Sequence, residues 1–165
     1  TTTIGDRVAF EINEWGPDAV FIDTTGGYGG GVLDYLRLLG HKIIHPVEFA
    51  SSPHDPRFFN KRMEIWWEMA QWVKKEGAVP PGQQLQDDLT NPRYGFQGGR
   101  MILESKEDMK KRGLPSPDIA DALACTFSAT VIPAKLADAM HAGSQDFAEK
   151  QARRFDPFRG LRKRT

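Results

Sequence analysis

Apolar residues recur along the chain in two rhythms. Ile4, Val8, Ile12 and Trp15 are spaced by four, four and three, one stripe of an amphipathic helix, with Asp6, Arg7, Glu11 and Glu14 elsewhere on its circumference. Gly16-Pro17 stops it. Ala19-Val20-Phe21-Ile22 is instead a continuous apolar run, the pattern of a strand buried on both faces, and it ends in Asp23 followed by a glycine-rich turn, Thr24 to Gly31. Val32, Leu33, Leu36 and Leu39 then form a second helical stripe, closed by Gly40, and Ile43 to Val47 a second short strand. Strand, helix and strand in this order are the βαβ unit of a parallel sheet.

Residues 50–57, with two prolines and two serines, read as a loop. Phe58, Phe59, Arg62, Met63, Trp66, Met69, Ala70 and Val73 trace a long aromatic-rich helix whose expected role is to cover the core. It breaks at Val79-Pro80-Pro81-Gly82, and a short helix through Leu85 and Leu89 follows. Tyr94-Gly95-Phe96 and Met101-Ile102-Leu103 flank a Gly-containing turn, which predicts a β-hairpin. Lys106 to Arg112 is a charged stretch, the composition of a solvated face. The last clear helix runs from Ser116, expected as its N-cap, through Pro117 at the first helical position to Phe127.

Composition changes this picture at one end only. The 165 residues amount to one domain with a real core, and 39% hydrophobic with 27% charged residues is a globular composition. The formal net charge of zero argues at first against a nucleic-acid partner. Yet seven basic residues (Lys150, Arg153, Arg154, Arg159, Arg162, Lys163 and Arg164) stand against Asp156 from residue 150 onward, so a mildly acidic body carries a basic tail. The expected division is 1–132 for the folded domain and 133–165 for a polar, basic tail. No apolar run is long enough to span a membrane, so no membrane partner is expected. The single Cys125, in an apolar helical pattern, reads as a packed thiol.

The candidate chemistry lies in carboxylates. Asp23 ends a strand at the place where open α/β sheets set their ligands, although an ordinary turn residue fits there too. Asp118 and Asp121 share one helix face, a turn apart. Asp118 could simply complement the helix dipole. Asp121 stands among Ile119, Ala120, Ala122, Leu123 and Ala124, where a buried carboxylate is expected to pair, protonate or bind a metal. If that helix packs beside the 19–23 strand, the three carboxylates converge as oxygen ligands for a hard divalent cation. Two such ions about 4 Å apart can activate a water and stabilise the leaving oxygen in phosphodiester hydrolysis.

Asp23-Thr24-Thr25-Gly26, Asn60-Lys61-Arg62, Leu103-Glu104-Ser105-Lys106 and Ser116 to Ala124 resemble, in this order, motifs of the nuclease domain of the large terminase subunit of tailed bacteriophages. The likeness runs from about residue 1 to 130. It implies an α/β, RNase H-like (ribonuclease H-like) fold and a Mg²⁺- or Mn²⁺-dependent endonuclease, using two ions, that cuts concatemeric double-stranded DNA during packaging. The implied partners are the packaging ATPase domain, the portal and the small terminase subunit, and the implied location is the cytoplasm of a bacterial host, as a phage or prophage protein. By resemblance Asp23 and Asp118 match acidic positions of the catalytic set, and Asp121 an additional acidic position used by some members. Lys106 matches a basic residue near the site, and with Arg112 it is a candidate DNA contact.

The resemblance also has a gap. The family's fold opens with an antiparallel meander whose first strand carries the first catalytic Asp, whereas this chain opens in the helix that follows it. The nuclease fold is therefore expected to be incomplete at its N-terminus, leaving an open edge on the 19–23 strand. Gly26 to Gly31 lacks a Lys-Ser/Thr ending and is not the phosphate loop of an ATPase. A catalytically incomplete remnant or docking module is the alternative, with Phe155, Phe158 and Leu161 in the basic tail as anchors on the portal or another partner. Another RNase H-like nuclease, such as a resolvase or transposase, is a third reading.

Overall fold

A computed structural model describes residues 2–133 and residue 136. The chain divides into two units, Thr1–Thr130 and Val131–Thr165, and every helix and strand named here belongs to the first. The basic tail from residue 150, with its Phe155, Phe158 and Leu161 anchors, lies outside the described residues.

The βαβ unit forms as its pattern predicts. Helix α1 (Thr2–Trp15) leads into strand β1 (Val20–Asp23), and α2 (Gly30–Leu38) returns the chain to β2 (Ile44–Val47). The strands pair in parallel, with Val20 opposite Ile44 and Asp23 opposite Val47. Alternation along β1 divides two cores. Val20 and Ile22 face one built on Ile12, Val32, Leu33, Leu36 and Ile44, while Phe21 faces the other, built on Val47, Phe49, Ile65, Trp66, Met69, Ala120, Ala124 and Cys125. The two-stranded sheet thus has α1 and α2 on one face and α3 (Lys61–Lys75) with α6 (Asp118–Cys125) on the other.

The remaining elements frame the second core. Helix α4 (Gln83–Thr90) packs on α6. Strands β3 (Tyr94–Gln97) and β4 (Arg100–Leu103) form the expected antiparallel hairpin, and α3 packs against β4. The charged stretch is a short helix, α5 (Lys106–Lys111), capped by Ser105, whose hydroxyl accepts the Asp108 N–H at 3.0 Å. Among the described residues no helix is long and apolar enough to cross a membrane.

Three local expectations change, each for a visible reason. Helix α3 begins at Lys61 rather than Phe58, because Asn60 caps it by accepting the Met63 N–H at 3.0 Å. Phe58 instead bridges to Met101 and extends the hairpin. Helix α6 begins at Asp118 with Pro117 at the cap position, so Ser116 does not cap it. The free Ile119 N–H at that end is satisfied from α4 by the buried carboxylate of Asp88, at 2.9 Å. The run at 20–22 is only half-buried, since among the described residues no strand pairs with the second edge of β1. On α1 only Ile12 of the apolar stripe is deeply buried, and Trp15 is 81% exposed. Val8, Ile12, Trp15, Pro17 and Val20 line an open apolar groove there.

Candidate active site

The end of β1 is held by backbone geometry that only glycines permit. Asp23 turns back on the chain, its Oδ1 accepting the Thr25 N–H at 2.9 Å, while the Thr25 hydroxyl accepts the Phe49 N–H from beyond β2, also at 2.9 Å. Gly26 and Gly27 take φ of 68° and 84°, left-handed values that side chains resist. At Gly29 a Cβ would stand 2.0 Å from the carbonyl oxygen of Asp23, a backbone atom that cannot give way. Gly29→Ala is therefore expected to cost about 1–3 kcal/mol, the usual range for overpacking. Gly30→Ala, with nothing within 4 Å of its added methyl, is the control. Urea unfolding of the two variants checks the difference.

Asp23 opens onto a cleft of about 600 Å³ lined also by Tyr28, Phe49, Asn60, Arg62, Leu103 and Lys106. Arg62 reaches it from α3, Lys106 from the start of α5, and α6 packs against β1 behind them. The expected packing of the last helix against the 19–23 strand is thus present, although Asp118 and Asp121 are not among the residues that line the cleft.

The two carboxylates of α6 have opposite surroundings. Asp118, the first residue of the helix, keeps 76% of its side chain exposed and meets Lys106 Nζ at 3.2 Å. Asp121 is 5% exposed, and four donor contacts converge on it. Its Oδ1 accepts from Arg62 Nε at 3.0 Å and from the Trp66 indole N–H at 2.8 Å. Its Oδ2 faces Arg62 Nη2 at 3.2 Å and Lys106 Nζ at 3.1 Å. A carboxylate offers about four lone-pair sites, so this arrangement leaves Asp121 none for an ion. Arg62 is in turn tied to the Glu104 carbonyl at 3.0 Å and lies over the rings of Phe49 and Trp66.

Lys106 bridges the two aspartates. Burial works to lower its pKa, but the charge and hydrogen bond of Asp121, joined by Asp118, outweigh burial and hold it above the usual lysine value. A fixed cation therefore stands between an exposed carboxylate and a saturated one. Cys125, packed behind them, has its thiol pushed up to about 12, by burial first and then by the charges of Asp23 and Asp121. It is an inert core thiol, as its helical pattern indicates.

Arg112, the other expected DNA contact, is not among the residues lining the cleft. Its guanidinium pairs with Glu104 Oε2 and points toward the Asn91 carbonyl, bracing the end of α5 against the base of the hairpin. That pairing holds the Glu104 carboxyl below the usual range. Sequence patterning alone gave Arg62 and Trp66 no part in the chemistry beyond core cover. Their i, i+4 spacing puts a cation and an indole N–H on the same helix face as apolar Met69 and Val73, the signal that a buried acceptor waits opposite.

Among the described residues no group of three or more His, Cys, Asp and Glu side chains could hold a metal ion. Asp23 and Asp118 offer the oxygen ligands that hard divalent cations take, and a cation such as Mg²⁺ commonly uses one or two carboxylates while keeping several waters. In the chemistry of their oxygens, each of the two suits such an ion.

No protein-family model matches the sequence, and no curated protein does. Solved structures do match. The nuclease domain of the large terminase subunit gp2 of bacterial virus Sf6 aligns with 78% of this chain and 72% of its own, at 22% identity and a TM-score of 0.59. A Lys-to-Ala variant of that domain with manganese and beta-thujaplicinol aligns over the same shares at 21% identity and a TM-score of 0.60. Such a variant with calcium covers 76% of this chain and 71% of its own, at 21% identity and a TM-score of 0.57. At these identities the likeness is one of fold: the chain has the α/β, RNase H-like fold of a terminase nuclease domain.

Proposed function

We propose that this chain is the nuclease part of a phage DNA-packaging terminase: a divalent-metal-dependent endonuclease acting on double-stranded DNA. The observation that carries the reading is Lys106, which lines the cleft of Asp23 and binds both carboxylates of α6, the helix packed against β1. The fold shared with a nuclease domain solved with manganese supports it. Asp23 and Asp118 would hold the metal, Mg²⁺ or Mn²⁺ as two ions. Once bound, the ions would supply an activated water and neutralise charge on the scissile phosphate.

The protein's own side chains have separable tasks. The turn at Thr25 aims the Asp23 carboxylate, and the glycines let the loop pack on it. Asp121 acts as a positioning residue: it takes no ion but fixes Arg62 and Lys106 at the cleft wall. Lys106, kept protonated, counters the charge of Asp118 and offers a cation to a phosphate. Cleavage of concatemeric DNA in the host cytoplasm, beside the packaging ATPase, the portal and the small subunit, is the setting that this reading implies.

A second reading, a catalytically incomplete docking module, is favoured by the finding that, among the described residues, no group of three or more His, Cys, Asp and Glu side chains could hold a metal ion. Plasmid nicking decides between them. With Mn²⁺ the protein is expected to convert supercoiled plasmid to nicked circles, and chelation by EDTA is expected to stop the reaction. No nicking with Mn²⁺, together with no Mn²⁺ binding by calorimetry, would leave the docking module as the reading that stands.

A further inference from the structure

The β3–β4 hairpin carries an aromatic surface for which phosphodiester cleavage has no use. All of β3 is exposed, Tyr94 at 62% and Phe96 at 70%, although these are residues that ordinarily seek burial. Two positions apart on one strand, they share a face, and their rings meet edge to face with centroids 6.4 Å apart. Opposite them in register, on the same face, are Leu103 and Met101. Leu103 and its neighbour Ile102 also line the cleft that holds Asp23, Arg62 and Lys106, so the strand that pairs with the rings borders that cleft.

This surface is held firmly. Residues 57–59 bond along the far edge of β4, with the Met101 N–H donating to the Arg57 carbonyl at 2.9 Å and the Phe59 N–H to the Met101 carbonyl at 2.7 Å. Arg100 covers the ring of Phe59 at 4.8 Å, and the Glu104 N–H closes the base of the hairpin on the Arg93 carbonyl at 2.7 Å. β3 is left as the outer strand, with its two rings displayed on a fixed support.

Charge selects the occupant. Residues 91–113, the hairpin with α5, hold six basic and three acidic residues, whereas the rest of 1–130 holds eight basic and fifteen acidic. Lys106, Lys111 and Arg112 are ion-paired, so the surplus of this element rests on Arg93, Arg100 and Lys110, the first of them next to Tyr94 in the chain. A locally positive element in an acidic body suits a polyanion, and exposed rings beside positive charge are the means by which proteins hold unpaired bases, every base having a face to stack.

We propose that the Tyr94–Phe96 face is a stacking platform for unpaired bases, by which the protein holds single-stranded DNA beside the cleft. The purpose of such a platform rests on the nuclease reading, but its test does not. Fluorescence anisotropy in EDTA, where metal chemistry is switched off, compares binding of a labelled oligothymidine with binding of a duplex of equal length. The double variant Tyr94→Ala/Phe96→Ala is expected to weaken single-strand binding about tenfold or more, while duplex binding changes less than about twofold. The aromatic exchange Tyr94→Phe/Phe96→Tyr is expected to restore it. Equal losses on both DNAs, unchanged single-strand binding, or a loss of self-association in sedimentation would each overturn the platform. A protein that nicks plasmid yet shows no ring-dependent single-strand binding removes the platform alone. One that binds single strands through the rings yet never nicks removes the nuclease reading alone.

Discussion

Replacing Asp121 with alanine is expected to destabilise the protein by about 3–5 kcal/mol, the range for breaking a buried ion pair from one side. The reason is what stays behind. Arg62, 8% exposed in α3, would keep only the Glu104 carbonyl and the faces of Phe49 and Trp66, and the Trp66 indole N–H would lose its acceptor. A buried cation without its anion costs far more than the intact pair contributes. Arg62→Ala is expected to cost less, because Asp121 would still accept from Trp66 and face Lys106. Urea unfolding of both variants measures the asymmetry. Equal losses, or an Asp121→Ala protein within about 0.5 kcal/mol of the parent, would mean that the pair is not what holds α6 to α3. Against a usual total of about 5–15 kcal/mol, the predicted loss is large enough to thin the folded population, so Asp121 variants have to be assayed with their stability known.

The elements legible in the sequence are those set by short-range patterning. The run ending at Asp23, the stripe of Val32, Leu33 and Leu36 and the run at 43–47 predict strand, helix and parallel strand, and these form. The hairpin follows from two apolar runs around Gly98-Gly99, which take the positive φ of 58° and 77° that its turn requires. What patterning could not supply is who satisfies whom across the fold. Ser116 has the composition of a cap, yet the N–H left free there is taken by Asp88, about thirty residues earlier in the chain, because α4 packs against that end of α6. Asp121 reads as a metal candidate because a lone carboxylate in an alanine-rich helix demands a partner. The demand was legible, but its answer, Arg62 with Trp66 and Lys106, depends on three elements meeting in space. The half-burial of β1 follows from an edge that no strand among the described residues covers, which the residue pattern of the strand, taken alone, does not record.

Asp23→Asn and Asp118→Asn are each expected to lower Mn²⁺-dependent cleavage about a thousandfold or more and leave stability nearly unchanged. An ion at a scissile phosphate is worth several kcal/mol of charge stabilisation, and each 1.4 kcal/mol or so is a factor of ten in rate. Neither change should unfold the protein. Asn at 23 keeps an oxygen to accept the Thr25 N–H, and the Asp118 side chain is mostly in solvent, where its pair with Lys106 contributes little. Binding gives a second readout, because an ion that binds only the folded state raises the melting temperature in proportion to the logarithm of its concentration. Mn²⁺ is expected to raise the melting temperature of the parent protein, and less so that of either variant, whereas Asp121→Asn should lower the starting temperature and keep much of the Mn²⁺ shift. This contrast separates ligand from support. An Asp121→Asn protein that is stable but blind to Mn²⁺ would exchange the roles assigned here, and an Asp23→Asn protein that cleaves normally would remove the end of β1 from the site.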